Sequence, residues 1–175
     1  QEALKATPNA NGRRTLYLDR GERLKLLENI SAESAPFARA LCLLPLRPGA
    51  LSALTAGDFD KRTSELTIGK DKTGKPRRIQ LPKEAAKLLA AQAKNKLPSA
   101  ALFMRANGKG WDKDSWKLPI AAAVAAAGLP GDATAYTLRH STITDLVSAG
   151  LPLLTIAQIS GTSAEMIERH YGHLA

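Results

Sequence analysis

The run ALCLLPLRPGALSALTAG, residues 40–57, contains a single charged side chain, Arg47. So apolar a segment has to be folded into an interior, and the guanidinium then limits how that can happen. It reaches the surface, caps carbonyls at the end of the preceding helix, or meets a buried partner. Arg139, in YTLRHSTITDL, raises the same question. On helical spacing it shares a face with Ile143, Leu146 and Val147, the stripe expected to face the core. It also falls near the start of its helix, where the macrodipole disfavours a cation unless an anion lies close. A phosphate site would suit its planar fork. A buried ion pair with Asp145 or Glu165 is the alternative.

Around these two residues the periodicity changes twice. Residues 1–16 are polar and rich in Asn, Pro and Gly, a linker or arm. Asp19 is placed to cap a helix through RGERLKLLENI with Leu24, Leu26 and Leu27 as its apolar stripe. A second helix is expected over SAPFARALCLL, and Pro48 suits the first turn of a short third one. SELTIG and RRIQLP then alternate with period two, pairing Leu66 with Ile68 and Ile79 with Leu81. The Thr73-Gly74 pair between them marks a turn, so a β-hairpin is expected, joined by a strand near GDFD. Helical patterns resume in PKEAAKLLAAQAK, KDSWKLPIAAAVAAAG, YTLRHSTITDLVSAG, PLLTIAQIS and SAEMIERHYG. Gly150 and Gly161 stand where C-terminal glycines stop helices. The expected class is α+β, mainly α, with a small antiparallel sheet.

Lys and Arg outnumber Asp and Glu by 25 to 16, a formal charge of +9, and that excess favours a polyanionic partner. Lys70, Lys72, Lys75, Arg77 and Arg78 crowd the hairpin with only Asp71 to offset them. They read either as solvated turn residues or as a basic finger laid along a DNA groove. The lone cysteine, Cys42, forms no internal disulfide, no zinc-type Cys/His cluster is present, and a reducing cytoplasm fits. PIAAAVAAAGLP is too short to span a bilayer and nothing resembles a signal peptide. The start at Gln1 suggests a piece of something longer. Metal-ligating carboxylate clusters are absent from the sequence. Arginine, lysine and tyrosine side chains can together attack a phosphodiester, hold the developing charge and protonate the leaving oxygen.

The order of the pieces carries more information than any one of them. LRPGALSAL is followed by DKTGKPRRIQL, then YTLRHSTITDL, then SGTS shortly before IERHYGHL. This order resembles the catalytic domain of the tyrosine recombinases, the phage integrase family, from about Tyr17 to the end. The resemblance implies that residues 17–175 form such a domain, without the N-terminal core-binding domain. It implies Arg47 and Arg139 as clamps on the scissile phosphate. Lys72, with Lys70 as fallback, would be the proton donor to the leaving 5′-oxygen, and Tyr171 the nucleophile of a 3′-phosphotyrosyl link. Lys70, Lys75, Arg77 and Arg78 would contact DNA. Three positions depart from the family pattern: Tyr136 stands where His is common, Thr162 where His or Trp is usual, and Ala50 in place of an acid. A phenol at Tyr136 can donate a hydrogen bond but lacks an imidazolium's charge.

The implied partner is double-stranded DNA, with no cofactor and no membrane. The implied assembly is a tetramer on DNA for the full-length protein and a monomer for this fragment. His140 is read as helix packing. His170, adjacent to Tyr171 on a helix, is expected to point away from it, and Ile167 to anchor that helix. A DNA-binding module that has lost activity, and a type IB topoisomerase-like relaxing activity, are the competing functions.

Overall fold

The structure, a computed structural model, describes residues 16–69 and 76–175. The first helix, α1 (Arg20–Glu28), begins where its capping residue dictates. The Asp19 carboxylate accepts from the Glu22 N–H at 2.8 Å, and the Glu22 carboxylate accepts in return from the Asp19 N–H at 3.1 Å. Its inner face differs from the leucine stripe expected. Leu26 is buried, but Leu24 is 54% exposed and Arg23 takes the inward place beside Leu26. The Arg23 guanidinium pairs with Asp145, whose other oxygen accepts from the Tyr17 hydroxyl at 2.7 Å. A charged residue displaces a leucine inside because the partner carboxylate waits on a helix more than a hundred residues away.

The remaining helices are α2 (Ala35–Leu43), α3 (Pro48–Ser52), α4 (Lys83–Ala93), α5 (Lys113–Ala126), α6 (Ala135–Ser148), α7 (Leu153–Ser160) and α8 (Ala164–Tyr171). Pro48 opens α3 as its fixed φ favours. Gly161 ends α7 at φ +75°, and Gly150 follows α6 at φ +87°, both in the left-handed region that glycine enters freely. Between α3 and α4 lies one antiparallel sheet in the order β1 (Phe59–Asp60), β2 (Glu65–Ile68), β3 (Arg77–Gln80). Phe59 faces Leu66, Leu66 faces Ile79, and Ile68 faces Arg77. Phe59, Leu66, Ile68 and Ile79 are buried, so one sheet face closes on the core. The mainly helical α+β class and the hairpin are as expected. Lys70, Lys72 and Lys75, with the Thr73-Gly74 pair, lie outside the described residues, as do residues 1–15.

Two apolar clusters hold the helices together. In the larger, Phe37 of α2 stacks on Trp111 and Trp116, with ring centroids 5.7 and 5.5 Å away, and meets Phe103 edge-on at 6.0 Å. The smaller joins Ile143 and Val147 of α6 to Ile156 and Ala157 of α7 and Ile167 of α8. Helix α6 contributes to both clusters, through Ala135 and Leu138 at one end and Ile143 and Val147 at the other. Its buried hydroxyls are satisfied by backbone groups. Ser141 donates to Thr137 O at 2.7 Å and accepts from the Leu18 N–H at 3.0 Å. The Thr142 hydroxyl lies 2.9 Å from Leu138 O and 3.1 Å from Leu41 O. These bonds fix α6 against both α2 and the entering chain. No described helix is long and apolar enough to cross a membrane.

Asp145→Ala should expose the importance of the tie between α1 and α6. It leaves the Arg23 side chain, 7% exposed, without its counter-charge. The expected loss is about 2–3 kcal/mol in urea denaturation, the lower end for a broken buried pair because Asp145 itself keeps some solvent.

Candidate active site

The two arginines that stood out in the sequence meet at one place. Arg47 occupies the N-cap of α3, and its Nη1 donates to Gly161 O at 2.8 Å. Arg139, in the second turn of α6, donates from Nη1 to Pro45 O at 2.6 Å and to Ser160 O at 3.0 Å. Ser160 and Gly161 are consecutive, so each arginine holds one carbonyl at the C-terminal end of α7, where the helix leaves its acceptors unpaired and its dipole negative. Arg47 thus does cap a helix, though the helix is α7 and not the one preceding it. The ion pair considered for Arg139 is not formed. Asp145 is engaged by Arg23 and Tyr17, and Glu165 by Arg169 at 3.3 Å.

Backbone oxygens orient these cations without neutralising them. Burial, reinforced by the nearby Arg47 and Arg77 charges, lowers the Arg139 pKa to about 10, so it stays protonated at neutral pH. Among the described residues no carboxylate is hydrogen-bonded or ion-paired to it. Among the described residues, hydrogen bonds engage only Nη1 of each guanidinium, which leaves the Nη2 donors for a further acceptor. A half-buried group of guanidiniums oriented by neutral oxygens is suited to an oxyanion with several acceptor atoms.

The other expected residues divide. Tyr136 lies one turn before Arg139, is 55% exposed, and is close enough to act on Arg139 electrostatically. Thr162, half-buried, directly follows the carbonyl that Arg47 holds, and its own N–H donates to Ala157 O at 3.1 Å. Arg77 shares the core-facing side of β3 with Ile79, and its charge reaches Arg139. Arg78 points from the opposite face and is exposed, so the two described hairpin arginines face different ways. Period-two alternation already placed Arg77 in phase with Ile79 and Leu81, a signal available from the sequence. The sequence-assigned lysines Lys70, Lys72 and Lys75 are not described.

Tyr171 is the last residue of α8, carried there by Ile167, which is 1% exposed. Its ring packs on the smaller apolar cluster. The hydroxyl lies 2.8 Å from Nδ1 of His140, and the two rings are 5.2 Å apart at a 36° tilt. Burial raises the phenol's pKa while the Arg139 charge pulls against that rise. His140, read from sequence as packing, therefore touches the candidate nucleophile. The signal missed was its adjacency to Arg139 on a helix that had to face both neighbours. His170 is exposed, as helical divergence from Tyr171 required, and His173 is exposed too.

The sequence matches the phage integrase family over residues 18–175. The chain belongs to the phage integrase family. A comparison with curated proteins finds no match. Solved structures give the same fold at low identity. XerA recombinase aligns with a TM-score of 0.75 at 23% identity, over 91% of this chain and 59% of its own. The Tn1549 transposon integrase bound to transposon right end DNA aligns at 0.77 and 19%, over 89% of this chain and 61% of its own. The catalytic domain of bacteriophage HP1 integrase aligns at 0.68 and 21%, over 91% and 88%. The chain thus spans about three fifths of the XerA and Tn1549 chains whose structures it matches, but most of the HP1 catalytic domain.

Two measurements check the site. Sulfate should raise the thermal midpoint of the wild-type protein, by the equivalent of about 2.7 kcal/mol at a hundred times its Kd, and leave Arg139→Met unmoved. The His140 imidazole, whose pKa burial lowers below 6.5, should titrate in that acidic range by NMR. Because the folded value is depressed, its contribution to stability is complete above pH 6.5. It should fade as pH falls from 6.5 through the folded value, and His140→Asn should remove that part of the pH dependence.

Proposed function

We propose that this chain is the catalytic domain of a site-specific DNA recombinase or integrase that breaks and rejoins one strand at a time. The observation that carries this reading is the convergence of Arg47 and Arg139, bonded to no carboxylate among the described residues, beside the half-buried hydroxyl of Tyr171. Tyr171 attacks the scissile phosphorus and forms a 3′-phosphotyrosyl link. Arg47 and Arg139 hold the non-bridging oxygens as charge builds in the transition state. Lys72, in the link between β2 and β3, donates a proton to the departing 5′-oxygen, with Lys70 in reserve. A 5′-hydroxyl then reverses the step, with neither metal nor ATP consumed.

The auxiliary positions take lesser parts. Tyr136 donates from the rim beside Arg139, and Thr162 from the turn after α7. Arg77 adds charge to the basin, while Lys70, Lys75 and Arg78 contact the DNA backbone and so make binding strongly salt-dependent. The full-length protein, with a further N-terminal domain joined through residues 1–16, acts as a tetramer on DNA in the cytoplasm. The absence of an imidazole at both Tyr136 and Thr162 favours a slow enzyme, and in the extreme a DNA-binding module of the same fold.

A nicked half-site that loses its short 5′ strand after cleavage traps the covalent adduct. The full-length protein should form it, Tyr171→Phe should abolish it, and Arg139→Ala should slow it about 10²–10³-fold. DNA binding without any adduct across candidate sites would favour the binding module. Plasmid relaxation without recombinant products would favour a topoisomerase-like activity.

A further inference from the structure

Resting on the recombinase reading, we propose that His140 is the general base of strand cleavage, taking the phenolic proton of Tyr171 on Nδ1. The side chain occupies the place that task demands. Nδ1 stands 2.8 Å from the Tyr171 oxygen, within reach of direct proton transfer, and the rings are in contact. Among the described residues His140 is the hydrogen-bond partner of that hydroxyl. It stands on α6, which both apolar clusters and the Ser141 and Thr142 bonds hold in place, so the acceptor is fixed while Tyr171 belongs to a helix that buries one residue fully. Arg139 is its immediate neighbour on α6, and the same helix presents the phosphate's cation and the nucleophile's base.

The need for an acceptor follows from the phenol. An ordinary tyrosine is ionised to less than about one part in a thousand at pH 7, and burial makes Tyr171 harder to ionise. A neutral imidazole can accept, and His140 is biased to that form by burial and by the charge of His170 on α8. The other titratable groups on the elements packed against α6 are Arg39 and Cys42 of α2, Lys113, Asp114 and Lys117 of α5, and His173 after α8. Helices α3 and α7 carry no titratable side chain. On α6 itself, Tyr136, Arg139 and Asp145 act elsewhere, on the phosphate basin and on Arg23. His170, adjacent to Tyr171 in sequence, diverges from it and is exposed.

The step balances as follows. The Tyr171 oxygen bonds to phosphorus as its proton passes to Nδ1, giving an imidazolium with Nε2 already protonated. The bond from phosphorus to the 5′-oxygen breaks, and that oxygen takes its electron pair and a proton from Lys72. In rejoining, the 5′-hydroxyl returns a proton to Lys72 and attacks phosphorus, and the imidazolium returns its proton to the departing phenolate.

The test uses the full-length protein and the trapped half-site, with wild type, Tyr171→Phe, His140→Ala and His140→Asn. Asn keeps a polar group near the Nδ1 position but cannot carry the proton. Both histidine variants should bind the half-site as wild type does and cleave about 100-fold more slowly. Wild-type cleavage should fall on the acid side of pH 6.5, and His140→Asn should lose that acid limb. A loss of packing alone would lower the curve without changing its shape. A substrate with a bridging 5′-sulfur, whose leaving group needs no proton, should rescue Lys72→Ala and leave the His140 variants slow. Wild-type rates in His140→Asn, a retained acid limb, or rescue by sulfur would each overturn the assignment. Failure of the wild-type protein itself to form an adduct is a separate result, seen before any histidine variant is compared, and removes the recombinase reading on which this rests.

Discussion

Two guanidiniums gripped by peptide carbonyls, with no carboxylate among the described residues bonded to them, are the constraint around which this molecule is organised. A buried arginine paired with an acid is electrically spent, as Arg23 is with Asp145. Arg47 and Arg139 are held instead by the Gly161, Ser160 and Pro45 carbonyls, which carry no net charge to cancel theirs. The cost of desolvating them and of crowding them together has to be met by the rest of the fold. Two of those carbonyls, of Ser160 and Gly161, sit at the end of α7, where the helix dipole adds attraction. The site is thus preorganised for an anion at the expense of stability, the usual relation between an active centre and its scaffold.

The scaffold divides its labour accordingly. Helix α6 is tied at both ends and along its middle, by two apolar clusters and by hydroxyls bonded to backbone. It carries Arg139 and His140, groups that must not move. Helix α8 buries only Ile167 fully and ends on Tyr171, whose phenol, in the proposed mechanism, meets phosphorus in one half of the cycle and leaves it in the other. A tyrosine near a lightly anchored end, facing partners on a rigid helix, suits the reversible transfer proposed for it.

Much of the fold could be read directly. Period-two alternation located the sheet, and Asp19, Pro48, Gly150 and Gly161 marked helix ends, because capping and φ preferences act within a few residues. The candidate site was legible through the order of its motifs, which brought Arg47, Arg139 and Tyr171 forward and led to the family. The failures have a common origin. Leu24 looked like core and Arg23 was not placed on the inner face, since the carboxylate that draws Arg23 inward lies on α6. His140 looked like packing because its partner is 31 residues further on.

By itself the sequence determined where helices and strands begin and end, which residues carry charge in apolar surroundings, and which family the chain belongs to. Those properties are local, or depend only on order along the chain. The tertiary structure decided which partner each polar group meets: Asp145 goes to Arg23, Arg139 goes to carbonyls, Arg77 turns toward Arg139 and Arg78 away, and His140 receives the Tyr171 hydroxyl. The physical reason is that electrostatic and hydrogen-bond partnership depends on separations of a few ångströms in space, and folding sets those independently of separation along the chain.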